Sequence, residues 1–180
     1  PGWICCITGP SGAGKSILLN ALCGQTPPDE RIRIENIPLE STHSVIDCID
    51  SPPAQSLPIL TRAGLSDVWC LLQSPTSLSE GQKWRYRLAK ALMTPAKFLF
   101  ADEFCAALDT TTALVIACQL RRTIRRTGRI LILAGCREDV LAELQPDVLV
   151  TVSSLACIRV LYADAKKAPT SPQNRSVASQ

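Results

Sequence analysis

Histidine is almost missing from this sequence, since His43 is the only one among 180 residues. A single imidazole leaves little for a histidine-based metal centre, and the nine cysteines show no paired Cys-x-x-Cys spacing, so a zinc site is not predicted. Apolar runs are also short. The run at residues 129–134 has the length of a strand, and no run approaches the roughly 18 residues of a membrane-spanning helix. The net charge of +3 is too small to indicate a nucleic-acid partner by itself.

The remaining composition is that of a globular domain. Hydrophobic residues make up 46% of the chain and charged residues 19%, and the length is sufficient for one domain with a substantial core. In such a core we expect the cysteines to serve as small buried apolar residues, which predicts a reducing, cytoplasmic location. We expect the folded domain to cover residues 1–162 and the polar stretch 163–180 to be a disordered tail or a linker. A predicted strand starts almost at the first residue, so the start of the chain is interpreted as a cut.

Apolar patches of strand length alternate with helical patterns along the chain. Strands are predicted at residues 3–8, 97–101, 130–134 and 147–152, with another strand within 31–45 and a last hairpin arm at 154–162. Helices are predicted at residues 16–23, 57–63, 65–72, 79–93, 109–126 and 138–143, with a proline-rich loop at 51–58. This alternation predicts an α/β fold with a mostly parallel sheet that is covered by helices on both faces.

The first predicted strand runs directly into a glycine-rich loop that opens the first helix, Gly9-Pro10-Ser11-Gly12-Ala13-Gly14-Lys15-Ser16. The loop fits the phosphate-binding pattern G-x-x-x-x-G-K-[ST] in the strand–loop–helix context that this pattern requires. Glycines allow several backbone N–H groups to point at one phosphate, and the helix N-terminus adds partial positive charge. We therefore assign Gly9 through Ile17 to phosphate binding, with Lys15 on the β- and γ-phosphates and the Ser16 hydroxyl as a ligand of Mg²⁺.

A second motif is an apolar strand that ends in two acids, Phe98-Leu99-Phe100-Ala101-Asp102-Glu103. Ligands of an α/β sheet gather at the carboxyl ends of its strands. Asp102 is therefore a candidate to hold Mg²⁺ through water, and Glu103 is a candidate general base that polarises an attacking water. Taken alone, the two acids could equally be solvated residues at a strand end. The glycine loop earlier in the chain favours the catalytic interpretation.

Two more motifs identify the kind of phosphate-binding protein. Leu78-Ser79-Glu80-Gly81-Gln82 precedes a basic helix, the strand with the two acids follows, and Ala107-Leu108-Asp109 comes next. In this combination the sequence resembles an ATP-binding cassette (ABC) ATPase over residues 1 to about 160. The first of these motifs corresponds to the family's LSGGQ signature loop, and the second corresponds to its D-loop.

The resemblance implies a three-layer P-loop NTPase fold and an ATPase that uses ATP and Mg²⁺ in a head-to-tail pair, either a homodimer or two paired ABC-type subunits. Glu103 and Lys15 would be catalytic. ATP on the glycine loop of one subunit would be capped by Ser79, Gly81 and Gln82 of the other, with Asp109 at the seam. A serine hydroxyl, a glycine and a helix N-terminus suit an anion. Ser79 and Gln82 also fit a capping box, which is compatible with that role.

The sequence departs from the family at several positions. The N-terminal β-subdomain of transporter cassettes, which carries an aromatic that stacks on adenine, is expected to be missing or truncated, and the helical subdomain is expected to be reduced. No convincing Q-loop glutamine is found, although Asp47 or Asp50 could occupy a comparable place. Cys136 stands at the position of the family's switch histidine. A thiol is a poor substitute for an imidazole, so we expect slow hydrolysis unless Arg137 compensates.

Three functions remain open at this point. The favoured one is a compact ABC-type ATPase without a standard transport role, which resembles stand-alone bacterial and phage ATPases, some of them fused to a second domain. The alternatives are the nucleotide-binding subunit of an ABC transporter, with a membrane partner, and a DNA-repair-type clamp that is gated by ATP but hydrolyses little of it. A group of arginines could form a nucleic-acid or acidic-partner patch, or the solvated face of a surface helix: Arg121, Arg122, Arg125, Arg126 and Arg129.

Overall fold

The computed structural model describes residues 2–49, 51–153 and 157–163, and in these ranges strands and helices alternate. The strands are β1 (Trp3–Thr8), β2 (Arg31–Arg33), β3 (Phe98–Ala101), β4 (Ile130–Ala134), β5 (Val148–Val152) and β6 (Ile158–Tyr162). The helices are α1 (Lys15–Gly24), α2 (Pro53–Arg62), α3 (Val68–Leu72), α4 (Glu80–Met93), α5 (Thr110–Thr127) and α6 (Glu138–Leu144). Strands β1 and β4 have the bounds that the sequence predicts.

The strands form one sheet in the order β2-β3-β4-β1-β5-β6. Neighbours are parallel except for β6, which runs antiparallel to β5. In the centre, Cys5 of β1 lies opposite Ile132 of β4 on one side and Val148 of β5 on the other. The prediction of an α/β fold with a mostly parallel sheet is confirmed. The carboxyl ends of β1 and β3 therefore meet at the same edge, where the glycine loop and the two acids follow.

Helices cover both faces of the sheet and complete three layers. Ile4 and Cys6 of β1 belong to a large apolar cluster that includes side chains of α4, α5 and α6. Ile7 of the same strand packs instead with Leu19 and Cys23 of α1. Because successive side chains of a strand point to opposite faces, this division places α1 on one face and the three other helices on the second face.

The prediction of a proline-rich loop at residues 51–58 is wrong from Pro53 onward, because α2 begins there and includes Pro58. Proline suits the first position of a helix, since its φ is already helical and its missing N–H would have no partner there. Ser56 and Leu60 are buried where α2 packs against α4 and α5. Burial of this face outweighs the hydrogen bond that Pro58 cannot donate. Helices α2 and α3, with ten and five residues, lie between β2 and α4, in the stretch where the sequence predicts a reduced helical subdomain.

Two predicted elements are shorter than expected. The helix predicted at residues 65–72 spans only Val68–Leu72, because Asp67 accepts a hydrogen bond from the N–H of Trp69 at 3.0 Å and fixes the helix start. The strand expected within residues 31–45 is confined to Arg31–Arg33. The predicted tail from residue 164 onward lies outside the described residues, as do residues 154–156 of the predicted hairpin arm. Within the described ranges, no helix is both long enough and apolar enough to cross a membrane.

Candidate functional site

The loop between β1 and α1 holds three glycines that are needed for two different reasons. Gly9 has a φ of 147°, and a Cβ there would lie 2.1 Å from the carbonyl oxygen of Val152 in β5. Gly12 and Gly14 have φ values of 76° and 92°, and no described atom lies within 4 Å of a Cβ built on either. Glycine is required at these two positions by the left-handed backbone alone. Gly9 thus fits the loop against β5, while Gly12 and Gly14 shape the concave backbone that suits a phosphate.

Lys15 is folded back onto its own loop. Its Nζ donates to the carbonyl oxygen of Gly9 at 3.0 Å and to that of Pro10 at 2.8 Å. The ammonium group is therefore held beside the N-terminus of α1, where backbone N–H groups and the helix dipole favour an anion.

Strand β3 brings Asp102 and Glu103 to the cavity that the glycine loop lines. The cavity has a volume of about 290 Å³ and is lined by Ser11, Gly12, Gly14, Lys15, Ser16, Ile17, Asp102, Glu103 and Gly135. An ammonium, a serine hydroxyl and two carboxylates share this space, which suits a polyphosphate with a cation. We call it the phosphate cavity. Gly135 was not predicted, although its place directly after the buried strand β4 was a usable signal.

The turn that carries Glu103 has an unusual backbone. Glu103 and Cys105 have φ values of 47° and 61°, which are rare for residues other than glycine. The N–H of Phe104 donates to the carbonyl of Ala134 at 3.2 Å, and the Phe104 ring packs edge-on against Trp84 of α4, with centroids 5.1 Å apart. These contacts hold the turn in a conformation that a free chain would rarely adopt.

Glu35 is a carboxylate beside Asp102 that sequence reasoning did not identify. Glu35 lies just beyond β2, and its Oε1 accepts a hydrogen bond from the N–H of Asp102 at 3.2 Å. Its Oε2 is buried and has no hydrogen-bond partner among the described residues. The available signal was an acid after a strand, but a strand of three residues is too short to recognise from its pattern. Asp47, a candidate for the Q-loop position, is exposed, and Asp50 lies outside the described residues.

The phosphate cavity offers oxygen donors that fit Mg²⁺, namely the Ser16 hydroxyl and the Asp102 carboxylate. The described residues include no group of three or more histidine, cysteine, aspartate or glutamate side chains that could hold a metal. This is compatible with Mg²⁺, which keeps several waters and is usually held by one or two protein oxygens together with substrate phosphates. When bound there, the ion would neutralise charge on those phosphates.

Ser79 and Gln82 form the predicted capping box at the start of α4. The N–H of Ser79 donates to Gln82 Oε1 at 2.9 Å, and the N–H of Gln82 donates to Ser79 Oγ at 3.3 Å. Gly81 packs against the turn before α5, since a Cβ there would meet the Leu108 side chain at 3.0 Å and the Ala107 carbonyl oxygen at 3.1 Å. Gly81 therefore has a packing role inside the chain, while Ser79 stays exposed.

The signature and D-loop residues lie apart from the phosphate cavity of their own chain. Its described lining does not include Ser79, Gly81, Gln82 or Asp109. Asp109 is the exposed N-cap of α5, and its carboxylate accepts a hydrogen bond from the N–H of Thr112 at 2.9 Å, which lowers the pKa of Asp109. The candidate nucleotide contacts thus fall into two groups, one at the cavity and one at the N-termini of α4 and α5.

The Cys136 side chain is buried rather than turned to the phosphate cavity. It is 8% exposed, belongs to the large apolar cluster and is missing from the described lining of the cavity. A hydrogen bond with Cys136, together with burial, raises the pKa of the Cys6 thiol. Arg137 donates to Asp139 at 3.0 Å and to the carbonyl of Leu108 at 3.3 Å. Both side chains are therefore engaged within their own chain.

Three of the five clustered arginines are used in contacts within the chain. Arg121 pairs with a glutamate of α6 at 3.1 Å, and Arg125 pairs with a buried aspartate just before β5 at 2.5 Å. Arg129 donates to backbone carbonyls at the end of α4. Arg122 and Arg126 are exposed. These contacts favour a structural role for most of the cluster over a nucleic-acid patch.

Comparison with known families matches residues 1–106 to the family described as "ABC transporter". The matched part is more than half of the chain, and it includes the glycine loop, the signature loop and the two acids after β3. The match ends just before the D-loop residue Asp109.

Curated relatives of the chain are import ATP-binding proteins. A taurine import ATP-binding protein of Pseudomonas aeruginosa is 30% identical over 172 residues, which cover 80% of this chain and 65% of the relative. A methionine import ATP-binding protein of Helicobacter hepaticus is 34% identical over 105 residues, which cover 58% of this chain and 30% of the relative. A nickel import ATP-binding protein of Brucella abortus is 26% identical over 187 residues, which cover 83% of this chain and 71% of the relative. The chain thus spans about two thirds or less of the first two of these relatives.

The fold also matches solved structures. A bacterial ABC transporter cassette solved as a dimer superposes with a TM-score of 0.68 at 19% identity, covering 91% of this chain and 86% of that one. The same cassette in a post-hydrolysis state with ADP and phosphate gives a TM-score of 0.70 at 18% identity with the same coverage. At 18–19% identity these matches establish a shared fold and nothing finer.

Proposed function

Because the chain belongs to the ABC transporter family, we propose that it binds ATP with Mg²⁺ and hydrolyses it to ADP and phosphate. The phosphate cavity carries this proposal. It places a glycine loop at a helix N-terminus, the Lys15 ammonium and the Asp102 and Glu103 carboxylates around one space of about 290 Å³. That set of groups suits a nucleoside triphosphate better than a singly charged ligand.

The residues divide the proposed chemistry among them. Lys15 would exchange the carbonyls of Gly9 and Pro10 for oxygens of the terminal phosphates, whose negative charge it offsets. Glu103 would accept a proton from the water whose oxygen attacks the terminal phosphorus, while the bond from that phosphorus to ADP breaks. The backbone of the turn fixes the start of the Glu103 side chain, so this residue can orient the water without first ordering a loop.

A head-to-tail pair completes the proposed site. Ser79 and Asp109 are exposed at helix N-termini outside the phosphate cavity, so one chain alone does not bring them to its own nucleotide. The capping box already fixes the Ser79 side chain beside the start of α4, where an anion is favoured. The solved bacterial cassette with the same fold is dimeric, which supports a paired arrangement here. A homodimer or two paired ABC-type subunits would satisfy this geometry.

Two substitutions test the proposed activity. Glu103→Gln should leave MgATP binding within about twofold and lower kcat by about 100-fold or more, since it removes the proton acceptor but not the cavity. Lys15→Ala should weaken MgATP binding by about tenfold or more, because the ammonium contacts the phosphates directly. Calorimetry would measure binding and phosphate release would measure turnover. Unchanged hydrolysis by Glu103→Gln would exclude Glu103 as the general base.

A second candidate is the nucleotide-binding subunit of an importer, which the names of the curated relatives favour. Helix α3 exposes apolar side chains, with Trp69 75% exposed and Val68 and Leu72 just above 60%, a surface that suits a partner protein. The alternative of a compact cytoplasmic ATPase without a transport role is supported by the short lengths of helices α2 and α3. Membrane fractionation separates the two. A subunit would be recovered with membranes and released by Trp69→Asp, whereas a stand-alone ATPase would stay in the supernatant in both forms.

A further inference from the structure

Strand β2 ends beside the turn that carries the two acids, residues 102–105, which we call the acidic turn. The register of the parallel pair β2 and β3 brings Glu35, just beyond β2, level with Asp102. Ile34, which precedes it, is fully buried in the large apolar cluster. The backbone is therefore anchored at the point from which the Glu35 side chain reaches the acidic turn.

The Glu35 carboxylate joins two donors through one oxygen. Its Oε1 accepts from the N–H of Asp102 at 3.2 Å and from the Arg33 guanidinium, whose Nε and one terminal nitrogen lie 3.3 and 2.6 Å away. Hydrogen bonds with a charged partner are stronger than neutral ones, and a guanidinium that donates twice fixes the orientation of a carboxylate. Arg33 therefore holds Glu35 in the position from which it contacts Asp102.

Arg33 is itself tied to helix α1. Its guanidinium also donates to Oδ1 of Asn20, in the second turn of that helix. The first turn of α1 begins with Lys15, which lines the phosphate cavity. The series Asn20, Arg33, Glu35 and Asp102 thus connects the helix that follows the glycine loop with the turn that carries the proposed general base.

The acidic turn needs such contacts because its backbone is strained. Glu103 and Cys105 have φ values of 47° and 61°, and unusual conformations of this kind persist only where the surrounding structure holds them. The bond from Phe104 to β4 holds one side of the turn, and the bond from Asp102 to Glu35 holds the other. Asp102 Oδ1 also accepts from the N–H of Glu103 at 3.0 Å. A shift of Asp102 would therefore move Glu103 as well.

We propose that Glu35, oriented by Arg33, is a positioning residue for ATP hydrolysis that fixes the acidic turn through the N–H of Asp102 and so sets the place of the Glu103 carboxylate. This inference rests on the proposed function and deepens it. Glu35 is not among the described residues that line the phosphate cavity, so it acts through the turn and not by contact with the nucleotide. Loss of its contact slows the chemical step, because a small misplacement of a reacting group strongly lowers the rate.

The experiment compares Glu35→Ala and Glu35→Gln with wild type in the full chain. Glu35→Ala should lower kcat by about tenfold or more and leave KM for MgATP within about twofold, since Lys15 and the glycine loop are unchanged. Hydrogen exchange of peptides that cover residues 98–108 should become about tenfold faster, because the N–H of Asp102 loses its acceptor. Glu35→Gln keeps an oxygen that accepts from this N–H, so its kcat should stay within about threefold of wild type.

The matched control is Glu143→Ala, which breaks the ion pair of Glu143 with Arg121. The side chains of this pair are 33% and 21% exposed, against 32% and 22% for Glu35 and Arg33. The control therefore removes a pair of the same burial on α5 and α6, away from the acidic turn. Its kcat and its exchange at residues 98–108 should match those of wild type.

A variant of the arginine tests the direction of the contact. Arg33→Met should lower kcat less than Glu35→Ala, because the bond from Asp102 to Glu35 stays but the carboxylate is no longer oriented. Combined with Glu35→Ala it should lower kcat no further, since Arg33 acts through Glu35. Arg33→Met also carries the test if Glu35→Ala is not recovered as a folded protein, and a kcat equal to wild type would then overturn the inference.

The outcomes separate this inference from the function on which it rests. If wild type did not hydrolyse MgATP, the proposed function itself would fail. If wild type hydrolysed it and Glu35→Ala kept the wild-type kcat, the function would stand and the positioning role would be overturned. The role would also be overturned if Glu35→Ala raised the Mg²⁺ concentration for half-maximal hydrolysis by about tenfold, because Glu35 would then act on the metal. An equal loss of kcat in Glu143→Ala would show a general effect of stability and overturn it too.

Discussion

Glu103 combines a candidate catalytic carboxylate with a left-handed backbone, φ 47°, that a non-glycine residue adopts at a cost. Phe104 and its contact with Trp84 hold the turn at residues 102–105, so packing of α4 maintains the conformation of this acidic turn. The sequence shows two acids after a buried strand, and the structure places both at the phosphate cavity. It does not show the strained turn, because the pattern of residue types gives no φ value.

This strain predicts opposite effects on stability and activity at residue 103. Glu103→Gly should raise the free energy of unfolding by about 0.5–1 kcal/mol, because glycine adopts the left-handed conformation without steric cost. The same variant should lose turnover, since it also removes the carboxylate. Urea denaturation and phosphate release measure the two effects. Glu103→Gln is the control, with stability close to wild type and turnover lost. A Glu103→Gly variant less stable than wild type would show that the backbone there is not strained.

Helix α4 illustrates how one element serves both folding and the proposed contact across the pair. Its capping box fixes the first turn, and Trp84 within it packs on the acidic turn. The sequence was sufficient to place this helix and its cap, since Ser79 and Gln82 stand at the right spacing. It was insufficient for the first half of α2, where prolines indicate a loop, whereas the helix predicted at residues 57–63 coincides with its second half. Burial of Leu60 and Ser56 outweighs the local preference of the prolines.

Two variants at the start of α4 separate the cap from the contact with ATP. Ser79→Asn and Ser79→Asp should both keep the cap and stay within about 0.5 kcal/mol of wild type, because all three side chains accept from the N3 amide. Ser79→Asp should lower kcat by about 100-fold through repulsion of the terminal phosphate across the pair, and Ser79→Asn should lower it less. Thermal denaturation and steady-state hydrolysis measure these effects. Equal activity of the two variants would argue that Ser79 only caps its helix.

At the scale of the whole molecule, an ion pair stabilises the amino ends of the strands, which lie opposite the phosphate cavity. Arg125 of α5 donates to Asp147 at 2.5 Å, and the same carboxylate oxygen accepts from the N–H of Ile4 at 2.9 Å. Arg125 also donates to the carbonyl of Gly2 at 2.8 Å. One buried carboxylate thus joins α5, β1 and the chain just before β5. Contacts between residues so distant in sequence could not be predicted from local patterns, which left a basic patch and the solvated face of a surface helix as alternatives.

Removal of that carboxylate should destabilise the fold without altering the nucleotide site. Asp147→Ala is expected to lower the free energy of unfolding by about 2–4 kcal/mol, because it leaves the amide of Ile4 without its acceptor and removes the carboxylate that pairs with the Arg125 guanidinium. Asp147→Asn retains an acceptor for that amide and should cost less. Urea denaturation at neutral pH measures the loss, and MgATP binding well below the midpoint should match wild type. An unchanged midpoint for Asp147→Ala would contradict the structural role of the pair.

The most direct test of the head-to-tail site is sedimentation velocity on the Glu103→Gln variant of the full chain. This variant is expected to bind ATP without turning it over, so the nucleotide-bound state should accumulate. We predict a monomer without nucleotide and a dimer with saturating MgATP, since the exposed residues at the starts of α4 and α5 then contact the partner's nucleotide. A sedimentation coefficient that stays at the monomer value in saturating MgATP would contradict the head-to-tail site.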